Sequence, residues 1–155
     1  MASLLAVDLG LRTGLALFGE DGRLQWVRSS NVGSRARLKK AAPSLLRQPG
    51  DVEWLVMEGG GDLALVWKKE AERMGIGTHL ISAEVWRQDL LLPRERRTGE
   101  LSKQNADRLA RAVVEWSGLK KLTSLKHDAA EAVLVGLWGV RKVGWLAEWP
   151  EELRR

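Results

Sequence analysis

The chain has 155 residues, 45% of them hydrophobic, enough for one domain with a proper core. Its formal charge of +5 favours nucleic acid or another anionic partner. The absence of cysteine excludes disulfides, thiolate nucleophiles and cysteine-type zinc sites, and two histidines, His79 and His127, leave little room for a histidine-rich metal site.

Residues 3–8 read as a buried strand that ends in Asp8. The start carries no basic leader and is broken by Asp8, so it reads as a strand rather than a signal peptide. No segment approaches the ~20 apolar residues of a membrane span, and a soluble cytoplasmic protein is expected. Gly10 and Gly14 punctuate a tight connection into an apolar run at 15–18. Glu20-Asp21-Gly22 marks a hairpin turn into a strand at 23–30, where Leu24, Trp26 and Arg28 alternate with Gln25, Val27 and Ser29.

A helix follows from a Ser34 cap to residue 47, kinked or restarted by Pro43. The strand at 52–58 ends in Glu58; Gly59-Gly60-Gly61 then turns the backbone closely, and Asp62 caps a helix to about residue 74. A short strand is expected at 76–81, a short helix at 83–91 and an exposed polar loop at 92–102. Leu109, Ala112, Val113 and Trp116 at helical spacing predict a helix over 102–116, and a last helix covers 126–142. The charged tail 148–155 is expected at the periphery of a single domain spanning 1–155. This order predicts an α/β fold with a five-stranded mixed sheet, three antiparallel strands then two parallel ones, flanked by helices.

Four acids carry the chemistry. Asp8 and Glu58 each end an apolar strand, where a carboxylate is costly to desolvate unless paired, hydrogen-bonded or metal-bound. Asp128 and Glu131, three apart, share one helix face. Each has a plainer role open to it: a turn-forming Asp, a structural Glu, a favourable charge in a helix's first turn. Together they match a site for two cations ~3.5–4 Å apart, of the hard, oxygen-seeking kind such as magnesium or manganese. His127 is a candidate auxiliary ligand or water-orienting group, or else a cap.

Two basic clusters stand out. Arg35, Arg37, Lys39, Lys40 and Arg47 occur in a stretch without an acid, and Arg87, Arg94, Arg96, Arg97 and Lys103 surround the polar loop. The second is the better phosphate-contacting track, because it joins the elements preceding the Asp128 helix. Of eight tryptophans, Trp54, Trp116 and Trp138 fit core packing. Trp67, Trp86 and Trp145 are open to packing, base stacking or a dimer interface.

Asp8-x-Gly10, Glu58 and Asp128-Ala-Ala-Glu131, in this order and spacing, resemble RuvC-like Holliday junction resolvases of the RNase H-like superfamily, most of all short phage and bacterial members. Arg97-Thr98-Gly99 and Ser102-Lys103-Gln104 are similar to that family's basic loop and following helix. The resemblance spans about residues 3 to 142. It implies an RNase H-like sheet, a homodimer, and magnesium- or manganese-dependent paired nicking of four-way DNA junctions by a nucleoid-associated enzyme. By position, Asp8, Glu58, Asp128 and Glu131 would be metal ligands, and Arg97 and Lys103 would contact phosphate. Two departures stand: Glu131 replaces the usual Asp, and glycines replace an aromatic wedge after the strand glutamate, leaving Leu63 or Trp67 as substitutes. The rival readings are a YqgF-like RNA-processing nuclease and a non-catalytic module that binds branched nucleic acid. A sugar-kinase or actin-like ATPase is set aside, since it needs two such domains.

Overall fold

Leu4, Leu5, Ala6 and Val7 have no exposed surface, as befits a strand covered on both faces of a sheet. The structure, a computed structural model, describes residues 1–120 and 125–155. Strand β1 (Ser3–Asp8) lies at the centre of the order β3-β2-β1-β4-β5, with β2 at Arg12–Gly19, β3 at Leu24–Asn31, β4 at Val52–Glu58 and β5 at Gly77–Ile81. Neighbours β1–β2 and β2–β3 pair antiparallel, and β1–β4 and β4–β5 pair parallel, as expected.

Alternation along the strands divides the core in two. Leu5, Val7, Leu15, Leu17, Leu55 and Met57 meet helices α1 (Arg35–Arg47) and α2 (Gly61–Arg73). Leu4, Ala6, Ala16, Phe18 and Val56 meet α5 (His127–Lys142), behind which lie α3 (Ala83–Leu90) and α4 (Gly99–Trp116). Helix α5 is buried from Ala129 through Val140, an all-round apolar helix sunk in the core. Its glycines let it sit low on the sheet: a Cβ on Gly136 would lie 2.1 Å from Phe18 Cε1, and one on Gly139 would lie 2.9 Å from Val56.

Several local expectations change. Gly14 lies inside β2 rather than in the preceding connection, and a side chain there would meet the Asp128 carbonyl of α5 at 1.9 Å. Helix α4 starts at Gly99, three residues before Ser102, because the Thr98 hydroxyl accepts from the Leu101 N–H at 3.1 Å. Pro93–Glu95 forms a 3-10 turn within what reads as plain loop. The N-cap of α2 is Gly60, with Asp62 in the first turn. Pro43 stands within one continuous α1, at the cost of the helical bond that its missing N–H would have made. Trp67 and Trp86 are fully buried, so neither is free to stack on a base or line an interface, and Trp67 is no wedge.

Gly136→Ala is expected to destabilise by about 1–3 kcal/mol through overpacking, a fall in Tm of roughly 2–4 °C for each kcal/mol. Gly99→Ala, where a Cβ meets nothing within 4 Å, should leave Tm unchanged or slightly raised in the same thermal denaturation.

Candidate metal centre

Register partners Ser29, Gly14, Asp8, Glu58 and Ile81 lie side by side across all five strands. Paired residues share a face, and Asp8 and Glu58 are in phase with Ala6 and Val56, so both carboxylates turn toward α5 at the carboxyl ends of the parallel strands. Gly14 opens the row beside them, and the first turn of α5 fills that gap with its backbone. The helix thereby carries Glu131 over the strand ends. One oxygen each from Asp8, Glu58 and Glu131 lies within 4.8 Å of the others.

Glu58 and Glu131 are each only 8% exposed, so the crowding is not relieved by water. Burial foremost, then a hydrogen bond with Glu58 and the charges of Glu131, Glu58 and Asp128, push the Asp8 carboxyl up to about 9. Burial also raises Glu131; His127 opposes that shift, Glu58 adds to it, and Arg87 and Lys103 oppose it. The raised Asp8 pKa marks a place where added positive charge would relieve the repulsion. Three converging carboxylates with no sulfur or buried imidazole form an oxygen donor set suited to a hard divalent cation, which would supply that charge. The residues present fit a metal ion.

Asp128, the fourth expected ligand, stands outside this group of three. Its Oδ2 accepts a hydrogen bond from the Ser29 hydroxyl on β3, though its charge still acts on Asp8. Ser29 was not singled out by the sequence pattern. A register shift between Leu17 and Phe18 leaves Gln25 unpaired, so Leu24 and Ser29 share the α5 face while Trp26 and Arg28 take the other. Strict alternation puts Leu24 with Trp26, and no pattern in the sequence marks the bulge. His127 Nε2 lies 2.9 Å from Glu131 Oε1 with its side chain 59% exposed, at the boundary between the acids and solvent.

Of the basic set, Arg87 from α3 comes within 3.7 Å of Glu131, and the charge of Lys103 from α4 reaches the same carboxylate. Arg94 and Arg97 are exposed beside the 3-10 turn, while Arg96 is half-buried with its Nε donating to the Leu91 carbonyl. The acid among them, Glu95, is already occupied. It accepts from the Leu92 N–H at 2.8 Å and from Arg155 Nη2 at 2.7 Å, and Arg155 also donates to the Leu90 carbonyl. Burial would raise Glu95, but these partners hold it below the usual carboxylate range. The charged tail reaches the loop because Leu153 is buried ahead of Arg155.

No protein-family model and no curated protein matches the chain. Its fold is similar to that of T. thermophilus RuvC in complex with a Holliday junction substrate, with a TM-score of 0.65 and 14% identity, covering 93% of this chain and 96% of that chain. It is also similar to the yeast mitochondrial Holliday junction resolvase Ydc2, with a TM-score of 0.50 and 13% identity, covering 93% of this chain and 81% of that one. This likeness establishes the fold, the RNase H-like mixed sheet expected from the sequence.

The raised Asp8 pKa has a definite sign for stability. With the folded value near 9 and the ordinary value 3.8, the folded state binds more protons in between, so metal-free stability falls as pH rises through that window. Asp8→Asn removes the penalty: without metal it is expected to exceed wild type by about 1–2 kcal/mol near pH 8, allowing for solvent screening, and to match it below about pH 4. Added manganese should raise the Tm of wild type and leave that of the variant unmoved. Thermal denaturation in EDTA and in metal checks both.

Proposed function

We propose that the chain is a divalent-metal-dependent endonuclease that resolves four-way DNA junctions by paired hydrolysis of phosphodiesters. The convergence of Asp8, Glu58 and Glu131 at the carboxyl edge of the sheet carries this reading. The description of both structural neighbours as a resolvase or a junction-bound RuvC gives it its substrate.

Asp8, Glu58 and Glu131 would hold a magnesium or manganese ion, and Asp128 beside Asp8 is the remaining carboxylate for a second. When bound, such ions polarise a phosphate oxygen and make water a stronger nucleophile. Around them the chain's own groups bind and orient. Arg87 and Lys103 face the acidic cluster from α3 and α4, where they offset its repulsion of a phosphate and hold the scissile strand close. His127, exposed beside Glu131, would accept or return a proton or orient the attacking water. Arg94, Arg96 and Arg97 extend the phosphate track along the loop. Two cuts related by symmetry need two sites, so the active species is a homodimer acting in the nucleoid.

A labelled four-way junction, incubated with magnesium, manganese or EDTA, tests the reading. Wild type is expected to make symmetric nicks with metal only. Glu58→Gln should lose about two orders of magnitude or more in rate, since a bound cation's charge stabilisation is worth several kcal/mol, while keeping junction affinity. Binding without cleavage in any metal would leave a non-catalytic module, and cleavage of RNA in preference to junctions would leave an RNA-processing enzyme.

The tie between Glu95 and Arg155 yields a second expectation. Simple charge counting predicts that Glu95→Gln, which removes a negative charge from a phosphate-binding loop, tightens junction binding. If the tie holds the loop in shape, binding instead weakens by about tenfold, the scale of one charged hydrogen bond. Fluorescence anisotropy in EDTA separates the two outcomes.

A further inference from the structure

Helix α1 carries a charge pattern for which the cleavage site has no use. Residues 34–50 include Arg35, Arg37, Lys39, Lys40 and Arg47 and no acid. All five are exposed, and none takes part in an ion pair among the described residues. Helix stability does not account for them. The first turn of α1 holds two arginines and no acid, at the end where the helix dipole disfavours cations. The other four helices carry Asp62, Glu84, Glu100 and Asp128 in their first turns.

The fold fixes where this charge points. Leu38, Ala42 and Leu46 anchor one side of α1 in the core, so the basic residues stand on a rigid surface. Arg35 and Lys39 also line a groove with Lys69 of α2, and the acid lining it, Glu70, is paired with Arg73. Strand β3 is antiparallel to β2, itself antiparallel to β1, so β3 ends at the same edge of the sheet as Asp8 and Glu58. Helix α1 therefore begins at the edge that bears the acidic cluster and runs away from it along the face opposite α5. Thirteen residues span roughly 20 Å at 1.5 Å each, the length of about six base-pair steps.

We propose that α1 is a second DNA-binding surface that grips the phosphate backbone of one duplex arm of the junction, away from the strand being cut. This deepens the resolvase reading and rests on it for the branched substrate. The contact is made to phosphates, so it is independent of sequence and sensitive to salt.

The test uses the full chain in EDTA and the triple variant Arg37→Gln, Lys39→Gln, Lys40→Gln, whose exposed sites leave folding intact by circular dichroism and Tm. Affinities for a four-way junction and for a linear duplex are measured across a salt series. The same is done with a junction whose arms carry a patch of neutral methylphosphonates over about six steps. The variant is expected to bind the junction about tenfold or more weakly at moderate salt, with a shallower salt slope, as lost phosphate contacts require. The methylphosphonate patch should weaken wild type but not the variant, because both remove the same contacts.

Equal affinity and slope for the two proteins would overturn the proposal and assign α1 to another partner, such as an acidic protein. Fully additive losses from the variant and the patch would overturn it too. If wild type shows no preference for the junction over duplex while the variant still loses duplex binding, the arm grip stands and the junction reading fails.

Discussion

The seating of α5 on the sheet is the constraint from which the rest of the molecule follows. Gly136 and Gly139 let the helix approach Phe18, Leu4 and Val56, and Gly14 admits the backbone of Asp128 at its first turn. A side chain at any of these points would hold the helix off the strands. Only at this close approach does Glu131 meet Asp8 and Glu58, whose positions are set by parallel pairing of β1 with β4. The same apolar packing that stabilises the core is therefore what forces three acids together.

That convergence works against the fold. Carboxylates brought together with little water repel one another and lose hydration, and the raised Asp8 and Glu131 pKa values record the cost. Arg87, His127 and Lys103 offset part of it at Glu131 from the α3, α4 and α5 side. The arrangement leaves an oxygen donor set that could hold a cation. Functional sites are where such local conflict is retained.

The positive charge of the chain is distributed rather than concentrated. Arg94 and Arg97 lie beside a loop whose acid is neutralised by Arg155, and Arg87 and Lys103 lie at the acids themselves. Much of this was legible in the chain, because clusters of Arg and Lys survive folding on the surface. The role of Arg155 was not, since a residue sixty positions from Glu95 meets it only after Leu153 has packed.

The five strands and five helices of the described residues can be read from residue patterns, because local apolar periodicity and turn chemistry respond to the same burial that the fold provides. The identity of the acids is equally local: a carboxylate closing a buried strand, or two at one helix face, marks itself. Three features lay beyond that reach. The bulge at Gln25 inverted the phase of β3 and put Ser29 beside Asp128, the Thr98 cap drew α4 back to Gly99, and Gly14 entered a strand. Each depends on a neighbour distant in the chain or on a single hydrogen bond that periodicity does not encode. Sequence alone determined which residues carry charge and, outside the bulged β3, which face of each element is apolar. Tertiary structure decided which charges meet, because pairing register and the depth of helix packing are set by contacts between segments and not within them.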